Sequence, residues 1–335
     1  MSVTIKDIAK LADVSTATVS NVLTQKKFVS QELEHRVYAT IDQLGYRPNV
    51  YARGLKTNRS YTIGVQVPDI TNPFFSSSVK TIQCEANANG YQIMLYDSDS
   101  SIGTETQNIN NMNDAHVDGI ISIAPRMDIN RLMDMVKVPL VIMDRPAVQT
   151  DRNVAFIYAD NYRGAASVVD YMLGRGYERF VCLAGPTSLV SNAKARLDGF
   201  LETLAHHGIR QEQCDILYGD FTFQSGYDLM KQFLETYKPS PKPAAAFVTS
   251  DIMAWGAMEA LKEKKLKMPR DMGLIGYDNI YFSSFLYPAL TTVENPSVEM
   301  AKNAITLLLD ALERLRSLSG ISVVLRSSLI VRKSC

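Results

Sequence analysis

The chain has 335 residues, 46% hydrophobic and 21% charged, with 35 Lys/Arg against 35 Asp/Glu; one hydrophobic core rarely serves so many residues, so two or three compact units are expected. No apolar run reaches the ~18–20 residues that span a bilayer, and the charged opening "MSVTIKDIAK" has no apolar secretory stretch, so the expectation is a cytoplasmic protein without membrane contact. Cys84, Cys182, Cys214 and Cys335 form no CxxC pair, and His35, His116, His206 and His207 match no zinc spacing, so free thiols, no metal and no cofactor are expected.

The neutral total hides a basic head. Residues 1–60 hold nine Lys/Arg and five Asp/Glu, an electrostatic footprint at one end only. Three short helices are predicted there. Thr4 and Asp7 stand as a capping box before Ile5, Ile8, Ala9, Leu11 and Ala12 at helical spacing. Asp13 and Val14 make a tight connection, and Ser15 caps a second helix running to Leu23. Ser30 caps a third, with Leu33, Val37, Ile41 and Leu44 on one stripe and Gly45 as its stop. Leu11, Ala12, Val19, Val22 and Leu23 are expected to form the buried side of the first two helices.

The other face of the second helix carries Thr16, Ala17, Ser20 and Asn21. These side chains are short, so the helix can approach another surface closely. Their hydroxyls, amide and methyl suit base edges and phosphates in a DNA groove. Helix, short turn and second helix with such a face is the helix-turn-helix arrangement; the alternative is a polar helix that faces only solvent. Thr4 and Ser15, at the two helix starts, join the expected DNA contacts.

In "YRPNVYARGLKTNRS", residues 46–60, Pro48 ends what precedes it. Two marginal helical turns follow. They carry Arg53 and Lys56 for phosphates and Leu55 as an apolar wedge for a minor groove. The alternative is a plain tether.

From Tyr61 the pattern changes. Nine apolar runs are predicted as strands: "YTIGVQV", "YQIMLY", "VDGIISIA", "PLVIMD", "VAFIYA", "RFVCLAG", "CDILYG", "AAAFVTS" and "GLIGYD". Helical stretches separate them. A late helix, "SVEMAKNAITLLLDALERL", precedes two more strand-like runs, "ISVVLR" and "SLIVRK". Continuous apolar strands alternating with helices predict parallel sheets covered on both faces, divided into two lobes.

In order along the chain, "TIKDIAKLADVSTATVSNVL", "GYRPNVYARGLKT", "PDITNPFF", "VDGII", "RLDGF", "GYDN" and "ALTTVENP" resemble the lactose-repressor family of bacterial transcription regulators. The resemblance implies an α/β protein: a small all-α helix-turn-helix headpiece (1–45), a hinge helix (46–60), and a two-lobed core like periplasmic binding proteins (61–335). Lobe 1 would span about 61–160 and 291–322, lobe 2 about 161–290 and 323–335, with chain crossings near 160, 290 and 322. It further implies base reading by Thr16, Ala17 and Asn21, intercalation by Leu55, a near-palindromic double-stranded operator, and a homodimer. No extra tetramerising helix follows the last strand-like run.

The implied effector cleft lies between the lobes at the carboxyl ends of the strands. Asp69, Phe74, Phe75, Asp144, Arg196, Phe221, Asp251 and Asp278 are its candidate residues. Carboxylates and a guanidinium fix hydroxyl groups, and aromatic faces stack on a sugar ring. An Asp at a strand end also caps the next helix, and Asp251 has that alternative. The purine-binding branch of the family carries an Arg and a Thr before "RLDGF"; the loop "SLVSNAKA" lacks them, which favours a sugar or sugar derivative as effector. A repressor of transcription, working at the nucleoid, is the reading that results. A solute-binding protein with the same core is the alternative, and the basic head argues against it. An enzyme is not expected: the chain has no GxGxxG after its first strand, no Walker lysine and no GxSxG elbow.

Overall fold

A computed structural model of the chain describes residues 3–24, 28–45, 59–187, 191–210, 213–237 and 244–335. The chain divides into two units, Met1–Ser60 and Tyr61–Cys335.

In the first unit, α1 (Ile5–Leu11), α2 (Thr16–Thr24) and α3 (Gln31–Leu44) are the three predicted helices. The Asp7 carboxylate accepts from the Thr4 backbone N–H at 2.8 Å and from its hydroxyl at 2.7 Å, closing the capping box. Ser15 Oγ accepts from the Thr18 N–H at 3.0 Å. Gly45 ends α3 with φ of +60°, a left-handed conformation that glycine adopts without a Cβ penalty. Ile8, Ala9, Ala12, Val19, Val22 and Val37 form the small core. Leu11, expected inside, is 52% exposed; Ile8 and Ala9 already fill the α1 face that meets the other helices, and Leu11 lies beyond it. Residues 46–58, with Arg53, Leu55 and Lys56, lie outside the described residues.

In the second unit, all nine predicted strands form. They are β1 (Thr62–Val67), β2 (Gln92–Asp97), β3 (Gly119–Ile123), β4 (Leu140–Met143), β5 (Val154–Ala159), β6 (Arg179–Ala184), β7 (Cys214–Tyr218), β8 (Ala244–Val248) and β9 (Gly273–Asp278). Three more follow: β10 (Thr291–Glu294), β11 (Ile321–Leu325) and β12 (Ser328–Ile330). They build two six-stranded sheets, β11-β5-β4-β3-β1-β2 and β12-β10-β9-β8-β6-β7. The first sheet is parallel throughout; in the second, β12 runs antiparallel to β10.

Helices α4 (Pro73–Ala88), α5 (Ile102–Asp114) and α6 (Ile129–Met135) belong to the first lobe. The second lobe holds α7 (Asn161–Gly174), α8 (Ser191–His206), α9 (Phe223–Thr236) and α10 (Asp251–Glu263). Late α11 (Ser297–Leu312) returns to the first lobe, where Met300, Ala301, Ala304, Ile305 and Leu308 join the core of Ile63, Val65, Ile121 and Val141.

The chain crosses between lobes three times, and two crossings fall later than expected. β10 pairs with β9, from Thr291↔Ile275 to Glu294↔Asp278, so the second crossing follows Glu294 instead of residue 290. β11 pairs with β5 through Leu325↔Ala159, so the third lies at 326–327 instead of 322. A four-residue, Thr-rich strand between two prolines has too little apolar pattern to be read as a strand. The first and third crossings are stitched together where the Asp160 N–H donates to the Leu325 carbonyl at 2.9 Å.

Candidate functional site

Two places concentrate side chains that the packing does not use. The first is the outward face of α2. Val19 and Val22 are buried, so Thr16 and Ala17, on the opposite side, are exposed and Ser20 and Asn21 half-buried. Helical geometry alone produces this division: residues 16, 17, 20 and 21 share one stripe, residues 19 and 22 the other. The connection before α2 is tight because Asp13 takes φ of +50° and the Val14 N–H bonds the Ala9 carbonyl at 3.0 Å. Arg36 of α3 donates to the Asp13 carbonyl at 3.3 Å and holds that turn. Thr4 and Ser15 stand at the two helix starts as expected, though their hydroxyls are engaged in the caps.

The second place is the junction of the two lobes at the carboxyl ends of the strands. Ala124, Asp144, Phe221, Asp278 and Asn279 sit there with positive φ, a conformation that costs a non-glycine residue and gathers where surrounding structure over-determines the backbone. A cavity of about 500 Å³ opens there. Phe74 and Ser77 line it from the first lobe, Asp278 and Tyr281 from the second, and Asn295 from the second crossing.

Arg196 is the centre of the polar cluster. Asn192 and Arg196 lie four residues apart on α8, so both reach the same way. Arg196 is 4% exposed and fully engaged. Its Nε donates to Asn161 Oδ1 at 2.8 Å, one terminal nitrogen to the Thr249 carbonyl at 2.7 Å, and the other pairs with Asp278 at 3.1 Å. Its guanidinium lies 3.8 Å from the centre of the Tyr277 ring. Burial works against the charge, but Asp278, Tyr277 and Asp144 outweigh it and hold Arg196 above its ordinary value.

Asp278 remains raised above the ordinary carboxylate range because burial exceeds what Arg196 returns. Asp144, across the junction on β4's end, is pushed up to about 7 by burial, relieved in part by Arg196 and aggravated by Asp278. Its Oδ1 has no hydrogen-bond partner. Asn192 spans the lobes by donating its amide to the Asp144 carbonyl at 2.7 Å.

The other candidates divide. Phe74 is buried on the cavity wall, edge-on to Phe75 at 5.1 Å; Phe75 packs instead on the first lobe's core. Asp69 accepts from the Thr71 N–H at 2.8 Å and hydroxyl at 2.6 Å, which shapes the loop before α4 and keeps it off the cavity wall. Phe221 lies over Gly185, where a Cβ would come within 2.1 Å of its ring, so the β6 end must be glycine for this ring to seat. Asp251 is completely buried inside the second lobe. Its carboxylate accepts from the Ile280 N–H at 3.0 Å, the Ser283 hydroxyl at 2.5 Å and the Thr292 hydroxyl at 2.6 Å, and burial pushes it up to about 7. It pins the 3₁₀ turn Tyr281–Ser284 and β10 to α10, which leaves nothing for a ligand. Asn161, Thr249, Tyr277 and Asn295 touch Arg196 or line the cavity, and sequence reasoning missed them. The one available signal was an asparagine directly after an acidic residue at two crossings, "DN" at 160–161 and "EN" at 294–295.

Asp144 sets a pH dependence. In the unfolded chain it loses its proton near its ordinary 3.8; folded, it keeps it to about 7. Between these values the folded state binds more protons, so stability falls as pH rises through the window and levels above it. Asp144→Asn removes that slope's contribution: the variant melts above the parent at pH 8 and close to it at pH 4. Thermal melts across pH 4–8 check this, and parallel profiles for the two proteins would show that Asp144 titrates as an ordinary carboxylate.

Comparison with known proteins adds the context. Residues 4–49 match the model for bacterial regulatory proteins of the lacI family, and residues 169–335 that for a periplasmic binding protein-like domain. The HTH-type transcriptional repressor CytR of Escherichia coli K12 is 34% identical over 99% of this chain and 96% of its own. The ribose operon repressor of the same organism is 32% identical over 91% and 92%. Among solved structures, the lac repressor dimer bound to operator and the anti-inducer ONPF matches with a TM-score of 0.84 and 28% identity, covering 100% of this chain and 99% of that one.

Proposed function

The chain belongs to the lacI family of bacterial regulatory proteins, and from that premise we propose that it is a cytoplasmic, effector-controlled repressor that acts at the nucleoid. Two copies bind a near-palindromic operator, each laying α2 in a major groove with Thr16, Ala17, Ser20 and Asn21 toward the base edges. Residues 46–60 supply Leu55 as a minor-groove wedge and Arg53 and Lys56 as phosphate contacts. A sugar or sugar derivative occupies the cleft between the lobes and changes operator affinity. The observation that carries this reading is the union, in one chain, of a helix-turn-helix face free of packing duties and a two-lobed core with a polar cavity at its junction.

The dimer has separate support. Trp255, Phe285 and Tyr287 are exposed on the second lobe away from the cavity lining, the last at 98%. Exposed aromatic patches of this kind mark association surfaces. The lac repressor, matched over 99% of the chain in that structure, is described as a dimer bound to operator. No helix among the described residues is long and apolar enough to cross a membrane.

A fluorescence-anisotropy titration against DNA upstream of its own gene tests the reading, at one stated salt concentration, with and without a panel of sugars and derivatives. Salt must be fixed because phosphate contacts make affinity fall steeply with it. The expected result is one preferred fragment whose affinity a single compound shifts by roughly 5- to 150-fold, a coupling of about 1–3 kcal/mol. Equal affinity for upstream and random DNA would overturn the reading.

A further inference from the structure

We propose that Ile280 and its neighbours form a latch between the lobes: an apolar knuckle of the second lobe, held in shape by Asp251, that seats in the first lobe's core and passes occupancy of the adjoining cavity to the two lobes. This rests on the cavity being an effector site and adds the element through which it acts.

Ile280 follows β9 and belongs to the second lobe by sequence. It is nevertheless buried in the first lobe's apolar cluster, which includes Phe74, Val79 and Met300. Among the described residues, every other buried member of that cluster comes from the first lobe; Ile252 and Phe282 join it from the second as half-buried neighbours. The chain reaches this position through a costly turn. Asp278 and Asn279 take φ of +111° and +50°, left-handed values that side chains disfavour and that persist where the surroundings over-determine the backbone. Those surroundings are specific. The Asn279 N–H donates to Thr292 Oγ1 at 3.3 Å, and its Oδ1 accepts from Arg332 at 2.7 Å. The Ile280 N–H and the Ser283 hydroxyl both donate to the Asp251 carboxylate, and the Ser283 N–H donates to the Ile280 carbonyl at 2.9 Å. Burying a whole carboxylate is costly; here it fixes the turn that carries Ile280 and Phe282 to the other lobe.

The seam is small. One buried side chain and two half-buried ones fall far short of the large apolar interface that fuses two bodies, so relative motion of the lobes is the default. The cavity adjoins the seam directly. Ile280 and Tyr281 line it from the second lobe, and Phe74, of the cluster that receives Ile280, lines it from the first. A molecule held there touches both halves of the seam. Its contacts therefore differ between lobes seated and lobes parted, which is the condition for a ligand to shift an equilibrium.

Small-angle X-ray scattering of the full chain, with no ligand added, tests the latch on the parent, Ile280→Ala, Ile280→Val and Leu261→Ala. Leu261 is fully buried inside the second lobe's own core, so Leu261→Ala reports lost packing alone. The expected result is a larger radius of gyration for Ile280→Ala, with Ile280→Val and Leu261→Ala scattering like the parent. Ser283→Ala keeps the apolar contact and removes one of Asp251's bonds; it moves the same way by less, and it carries the test should Ile280→Ala not fold. Operator binding runs beside the scattering. Ile280→Ala shifts affinity by at least about fivefold, the low end of ordinary coupling between sites, and Leu261→Ala leaves it unchanged. Identical scattering by every variant overturns the latch. So does altered scattering with unaltered operator affinity, since the seam would then carry no signal. A parent that prefers no upstream DNA ends the regulator reading, while the scattering still decides whether the seam holds the lobes.

Discussion

Thr16→Ala, Ser20→Ala and Asn21→Ala combined reduce operator affinity by two to four orders of magnitude, to about that for random DNA. Each good base contact discriminates by about 1–3 kcal/mol, and three on one helix act together. The fold survives, because Val19 and Val22 supply α2's buried side and Ser15 still caps it at the Thr18 N–H. Affinity for random duplex and its slope against salt stay close to those of the parent, since phosphate contacts come from other groups. Anisotropy with operator and random duplexes at several salt concentrations measures both. A variant that keeps its operator preference would show that α2 is not the reading element.

Arg196→Met lowers the stability of the core by about 3–5 kcal/mol at pH 8 and abolishes the effector response. The loss is that expected when one partner of a buried ion pair is removed and the other stays charged. Asp278 would be left beside Asp144 with no cation, and the Asn161 amide and Thr249 carbonyl would lose their donor. Arg196→Lys rescues little, because an ammonium cannot serve three partners spread around a planar fork and stack on Tyr277 as well. Arg196→Met with Asp278→Asn recovers part of the loss, since the stranded charge is then gone. Urea unfolding of the three variants reads the coupling. Additive losses in the double variant would mean that the pair is screened by solvent.

Strands such as "GIISI" and "LVIM" could be read because a parallel strand buried on both faces is a continuous apolar run. The α2 surface could be read because a helix of nine residues shows its two sides as a repeat. The cleft was only half readable. Asp144, Asp251 and Asp278 look alike in sequence, each beside a strand end, yet Asp251 is consumed by Ile280, Ser283 and Thr292 while Asp144 keeps a bare oxygen. The difference lies in donors brought from 29 to 41 residues away, which no local pattern records. The anchors of Arg196, 35 and 53 residues distant, were hidden for the same reason. Leu11 looked interior because spacing gives a helix's apolar side but not how far along it the neighbours extend.

The three crossings also fix the order in which a nascent chain can become whole. The headpiece is one contiguous stretch and is complete once residue 45 has left the ribosome. The first lobe is not. Its strands through Ala159 emerge with one face covered in part, by α4, and one edge bare, waiting for α11 and β11, the latter ending at Leu325. At roughly 5–20 residues per second that wait lasts on the order of 10–30 seconds. Every molecule thus passes through an interval as a finished headpiece trailing an unfinished core. A frameshift or stop codon late in the gene, before β11, would freeze that interval into a product: a chain with its three headpiece helices intact and neither sheet complete.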